Sequence, residues 1–176
     1  MLSRKVQALI LATFVVIVNS AILGEPTIVL SIGFVVCAVI WATREWQPVP
    51  HLVSVAAVAV VVLCLHFTEE LVSGFAREFP ELFGKQWSVA SFITFNVSWL
   101  IIFTLCIVGV SKGRQVAFLG VLFLALIATL ANGVGHIVLS LLSGRLFPGT
   151  YTAPLLIAVG ATLVRALKRA SSRALI

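Results

Sequence analysis

Residues Val61–Gly74 read VVLCLHFTEELVSG: a run of apolar side chains passes directly into His66, Glu69 and Glu70 with no turn signal between them. Such an unbroken run predicts a helix. Positions i, i+3 and i+4 share a helix face, so the imidazole and both carboxylates project in one direction. An ionisable group inside a bilayer costs at least ~2.5 kcal/mol, and such groups therefore face protein or a watery cavity and mark a site. A second polar pair, Asn132 and His136 in TLANGVGHIVL, has the same i, i+4 spacing and supplies the partner that the first cluster needs.

The rest of the chain has the same character. Of 176 residues, 61% are hydrophobic and only 10% charged, and the mean hydropathy is +1.17. Soluble domains are ~45–50% apolar, so the composition predicts an all-α, polytopic helical membrane bundle with no room for a separate soluble domain. A net charge of +6 and pI near 9.9 would also suit a nucleic-acid partner. The Lys and Arg residues, however, flank apolar runs instead of gathering with aromatics in a patch, which excludes that reading and makes them topology signals. Cys37, Cys64 and Cys106 all lie within apolar runs without metal-type spacing, and read as buried, unpaired thiols.

Six spans are predicted: Val6–Gly24, Thr27–Thr43, His51 to Phe75 or Ala76, Trp87–Val110, Gln115–Leu142 and Thr150–Leu167. The first, preceded by Arg4 and Lys5, resembles a secretory signal but runs longer than a usual h-region and lacks an A-x-A site, so it reads as an uncleaved span. Residues 77–86 (REFPELFGKQ) read as a loop on the membrane surface, with Glu78 and Glu81 solvated. The organisation expected is two N-terminal helices over 1–50, a four-helix core over 51–168 and a basic cytoplasmic tail over 169–176.

With both termini cytoplasmic, Arg4, Lys5, Arg44, Lys112, Arg114, Arg165, Lys168, Arg169 and Arg173 fall inside, against Arg77, Lys85 and Arg145 outside. That nine-to-three bias predicts an N-in, C-in multi-pass protein, of the plasma membrane if bacterial. Glu69 lies 18 residues from His51, and Asn132 18 residues from Arg114. Both therefore stand about 27 Å from the inner face. Asn96 is about 14 Å below the outer end of its span and Asn19 about 21 Å above the inner end of its own. Four spans thus direct polar groups to the outer half, and one shared pocket is expected there.

Two imidazoles and two carboxylates from two helices suit a transition metal. His66, His136 and Glu69 or Glu70 are the expected ligands of one divalent ion, zinc or iron, with the other glutamate as general base on a water and Asn132 and Asn96 as supporting groups. Bundle di-iron sites draw on four helices and two recurring motifs, and only one is present here. The expected function is a metal-dependent membrane enzyme acting on a lipid or other apolar substrate, by hydrolysis first and oxidation second. Two alternatives use the same residues: a proton- or cation-coupled transporter, and a purely structural His–Glu pairing that sets helix register. No P-loop, GxSxG, HExxH or CxxC pattern occurs, so nucleotide use, serine hydrolysis and the common zinc-protease arrangement lack support.

HFTEE at His66–Glu70, Asn96, NGVGH at Asn132–His136 and FPGTYTAPLL from Phe147 together resemble the HXXEE-domain family of membrane proteins, over roughly Leu52–Val164. The resemblance implies a multi-span membrane fold and a shared site, without an activity. Phe147 stands where the family carries Tyr, and Tyr151 is the hydroxyl four residues on.

Overall fold

The computed structural model describes residues 3–24 and 27–173. The turn expected at Glu25–Pro26, the tail beyond Arg173 and the side chains of Asn19 and Arg173 lie outside the described residues. The order is α1 (Arg4–Leu23), α2 (Ile28–Ala42), β1 (Arg44–Trp46), α3 (Pro50–Ser73), α4 (Phe75–Glu81), α5 (Val89–Ser111), α6 (Ala117–Phe123), a π-helical stretch (Leu124–Ala131), α7 (Asn132–Ser143), α8 (Ala153–Ala170) and β2 (Ser171–Arg173). The chain is all-α apart from these two three-residue strands.

Among the described residues, three segments are long and apolar enough to cross a membrane: Pro50–Ser73, Val89–Ser111 and the continuous Ala117–Ser143. α6 is buried all round, whereas α3 and α8 each bury one stripe. On α3 the stripe is Leu52, Val55, Ala56, Ala59, Leu63, His66 and Glu70. On α8 it is Ala153, Leu156, Val159, Gly160, Leu163, Ala166, Leu167 and Ala170. Both follow the three-and-four spacing of a helix with one packed face. α3 and α8 pack together, and the π-helical stretch packs against both.

Small residues set that approach. A Cβ on Gly160 would lie 2.6 Å from Thr129 Oγ1 and 2.9 Å from the Leu130 backbone nitrogen, so only glycine lets α8 lie against the π-helical turn. Thr129, fully buried there, donates its hydroxyl hydrogen to the carbonyls of Leu124 and Ala125, both at 2.9 Å. Such back-bonding satisfies carbonyls that the widened turn leaves without a regular partner.

One end of the bundle is tied by backbone and tryptophan contacts. β1 pairs antiparallel with β2, Trp46 opposite Ser171. Trp41 Nε1 donates to the Gln115 carbonyl (2.8 Å), and Gln115 Nε2 donates to that of Trp46 (2.7 Å). Arg4 donates to the Arg44 carbonyl (2.7 Å) and pairs with Glu45 (2.6 Å). These bonds gather the start of α1, the α2–α3 and α5–α6 connections and the end of α8 at one end of the molecule.

Most boundaries shift by a few residues from the sequence reading, and three differences change the architecture. α3 stops at Ser73, short of Phe75, because Gly74 takes a left-handed conformation (φ 91°) that ends the helix. Residues 77–86 are not wholly loop, since α4 continues to Glu81 and stacks Phe79 on Phe75 at 4.8 Å. Residues 169 and 170 belong to α8 and 171–173 to β2, so the expected basic tail begins as ordered structure.

Substituting Gly160→Val should destabilise the protein by about 1–3 kcal/mol, the usual cost of overpacking against atoms that cannot move aside. Thermal unfolding in detergent checks this, and an unchanged midpoint would contradict the close packing.

Candidate metal centre

His66 and Glu70 enter the core because they continue the α3 stripe one and two turns beyond Leu63. His136 reaches them from α7, and the three side chains are 0%, 3% and 2% exposed. His66 Nε2 lies 3.2 Å from His136 Nε2 and 3.3 Å from Glu70 Oε1, while His136 Nε2 lies 3.0 Å from Glu70 Oε1. Three ligand-type atoms thus form a nearly equilateral triangle. Donors bound at 2.0–2.1 Å to a tetrahedral ion stand about 3.3–3.4 Å apart, so the triangle needs almost no rearrangement to match that set.

The surrounding bonds assign the protons. His136 Nδ1 is 2.6 Å from the Pro148 carbonyl oxygen, which only accepts, so Nδ1 carries the hydrogen. Thr152 Oγ1 donates to Glu69 Oε2 (2.6 Å) and, with its hydrogen committed, accepts from His66 Nδ1 (2.8 Å). With Nδ1 so occupied, each imidazole when neutral presents an Nε2 lone pair to the centre, beside a carboxylate oxygen. Asn132 Nδ2 donates to His66 Nε2 at 3.1 Å, consistent with that tautomer. Three mutual acceptors at 3.0–3.3 Å in a buried site repel unless a cation, metal ion or proton, lies among them.

The 147–152 connection holds the two histidines. Gly149 has φ 91°, and a Cβ there would overlap the His136 ring, so glycine is what brings the Pro148 carbonyl onto Nδ1. Ser140, one turn after His136, accepts from the Phe147 backbone N–H at 2.9 Å and fixes the turn to α7.

Glu69 takes a different position. Its carboxylate accepts from the backbone N–H groups of Tyr151 (2.9 Å) and Thr152 (2.8 Å) at the start of α8. There it complements the positive end of the helix dipole. The structure brings together His66, Glu70, His136 and Asn132, and turns Glu69 toward α8. Asn96 is buried and donates to the Phe92 carbonyl of its own helix (3.0 Å), lining a neighbouring cavity instead of touching the histidines. Tyr151 is 75% exposed, and its backbone, not its hydroxyl, meets Glu69. Phe147 is 3% exposed and packs edge-on against Phe75, so that position requires an apolar ring. Glu78 pairs with Arg145 at 2.5 Å instead of standing free in solvent, whereas Glu81 is exposed. Cys37 is buried, but Cys64 is exposed, against the expectation of three buried thiols.

Thr152 and the Pro148 carbonyl were not anticipated. A signal existed for the first: Thr152 precedes Ala153–Pro154, and Pro in the first turn behind a Thr marks a helix start.

Beside the centre lies a cavity of about 370 Å³ bordered by Glu70, Asn132 and His136 and otherwise mainly by aromatic and aliphatic side chains, among them Phe67, Phe92 and Trp99. Its floor is the buried ring cluster of Trp99, Phe103 and Phe123.

Thr152→Val removes the hydroxyl that links Glu69 to His66 and should cost about 1–3 kcal/mol, as for a lost bond to a charged group. Thr152→Ser should retain most of that stability, and the two unfolding midpoints in detergent decide it.

Neither a curated protein nor a solved structure matches the chain. The model of a family described as proteins of unknown function with an HXXEE motif matches residues 57–164. That span carries His66, Glu69, Glu70, Asn96, Asn132, His136 and Thr152, from α3 into α8. The chain belongs to the HXXEE family.

Proposed function

We propose that this protein is a six-span integral membrane metalloenzyme in which His66, Glu70 and His136 hold one divalent ion, zinc or iron, for hydrolysis of a lipid or other apolar substrate. The observation that carries the reading is the triangle of Nε2, Nε2 and Oε1 atoms, with each imidazole aimed at a common point by a partner on its far side. Outer partners of this kind orient metal-binding histidines and fix their tautomers.

A bound divalent ion supplies a Lewis acid that polarises a carbonyl and acidifies water. The chain's own groups do the rest. Thr152 and Pro148 hold the two imidazoles in the Nδ1–H tautomer. Glu69 keeps Thr152 oriented and so acts as a positioning residue. Glu70 is the one acidic residue among those described that line the cavity, and is the carboxylate available to take a proton there. The apolar lining excludes bulk water and suits a substrate drawn from hydrocarbon.

Six crossings are supported by more than the three longest apolar helices. Leu9 (68% exposed), Phe14 (63%) and Ile17 (62%) on α1, and Val29 (64%) and Val39 (59%) on α2, present large apolar side chains outward. Such surfaces need hydrocarbon around them. The tied end also gathers Arg4, Lys5, Arg44, Lys112 and Arg114 with the end of α8, which supports an N-in, C-in arrangement.

Elemental analysis of protein purified in detergent should find about one zinc or iron per chain, lost in His66→Ala, Glu70→Ala and His136→Ala. Glu69→Gln should keep the ion with roughly 10–100-fold weaker affinity, as for other outer-partner changes. Folded wild type free of metal would leave a shared proton as the cation among the three acceptors and sink the metalloenzyme. For topology, a membrane-impermeant thiol reagent should label Lys85→Cys on intact cells and Lys112→Cys only after permeabilisation.

A further inference from the structure

The cavity beside the metal centre carries its own record of what it accommodates. Glu70, Asn132 and His136 border it together, Thr27 and Asn96 add polar groups elsewhere on the lining, and the apolar Phe103 and Phe123 that also line it are 1% and 2% exposed. Between Phe92 and Phe103 along α5 it extends about 16 Å at 1.5 Å per residue. A volume of about 370 Å³ is at the small end of the ~300–1,000 Å³ of ligand pockets. Elongated and mainly apolar, with Glu70, Asn132 and His136 grouped on its wall, it fits one chain and not the two of a phospholipid.

The rim tells how a ligand enters. Val29 on α2, Phe83 after α4 and Val138 on α7 line the cavity and are 64%, 45% and 44% exposed. An opening framed by such residues admits an apolar molecule from hydrocarbon more readily than a polar one from water. No Lys or Arg is among the described lining residues, so side chains offer no cationic partner to a phosphate or sulfate head, and with the ion removed the Glu70 carboxylate opposes an anion.

Gly135 provides a second, independent observation. It lies inside α7, next to His136, and lines the cavity. Glycine in a helix interior weakens the helix relative to alanine, so its presence calls for a reason. Gly133 has one, since a Cβ there would lie 2.7 Å from the Ala153 carbonyl oxygen. A Cβ on Gly135 would meet nothing within 4 Å. The missing side chain leaves open space in the cavity beside His136, where a ligand's head would sit.

We infer that the cavity binds a single-chain amphiphile with an uncharged ester, amide or hydroxyl head, the head at Glu70, Asn132 and His136 and the chain lying toward Phe103 and Phe123. This names the substrate class for the proposed metal centre and rests on that reading only for the chemistry, since apart from Glu70 and His136 the cavity is lined by side chains given no part in holding the ion.

Native mass spectrometry of the full chain in detergent, with and without chelator, tests it using a monoacylglycerol of twelve to fourteen carbons as probe. Wild type should retain one probe molecule in both conditions. Gly135→Ala should retain it, and Gly135→Leu, whose side chain would fill the head end, should bind at least tenfold more weakly at unchanged helix content. Where Gly135→Leu does not fold, Ala128→Phe, which also lines the cavity, gives the same readout. Equal retention by the filled variants, no retention by wild type, or equally tight binding of a fatty acid anion of the same length would overturn the inference. Metal content measured on the same samples separates the two readings. Metal without probe overturns the chain site alone, and probe without metal overturns the metal centre alone.

Discussion

Two imidazole nitrogens and a carboxylate oxygen, all acceptors, converge within 3.0–3.3 Å in the interior of an apolar bundle. Without a proton or a metal ion among them these groups repel one another, and the core around α3, α7 and α8 brings them close enough to share one. Much of the nearby structure serves that condition. The 147–152 connection turns back over His136 on Gly149 to present a carbonyl. The start of α8 is pinned by Glu69, and Thr152 passes that carboxylate's influence to His66.

The pairing of adjacent glutamates shows how one helix can serve two purposes. Successive helical positions diverge by about 100°. Glu70 follows the core stripe and enters the centre, whereas Glu69 leaves it and meets the exposed backbone of α8. One carboxylate binds inward and its neighbour holds the scaffold. Replacing either one alone removes a different part of the same device.

Most of the fold is legible in the sequence because it follows from composition and apolar runs. Every predicted span corresponds to a helix, with ends displaced by a few residues where Gly74 or the Thr152–Pro154 start takes over. The two polar motifs were also legible and do meet. The choice between Glu69 and Glu70 was legible too, in the spacing of Leu52, Ala59 and His66 and of Ala56, Leu63 and Glu70, but it depends on knowing which face α8 covers. The π-helical stretch carries no local signature, since it answers to the contact of Thr129 and Leu130 with Gly160, thirty residues away. The β1–β2 pair is similarly hidden. Three residues cannot display an alternating pattern, and the partners, such as Trp46 and Ser171, are far apart along the chain.

The separation of the site residues along the chain also sets the order in which the protein can be made. His66 precedes His136 by 70 positions and Thr152 by 86. At about 5–20 residues per second, ribosomal synthesis leaves His66 and Glu70 waiting roughly 4–17 seconds for the partners that complete their surroundings. During that interval α3 exists with Glu70 beside His66 alone and Glu69 without its backbone donors. The end tie cannot close before residues 171–173 emerge, so the first half of the bundle must tolerate an unfinished centre until the last helix arrives. A truncated chain lacking α8 would expose the quality-control machinery to a helix carrying an unpartnered Glu69.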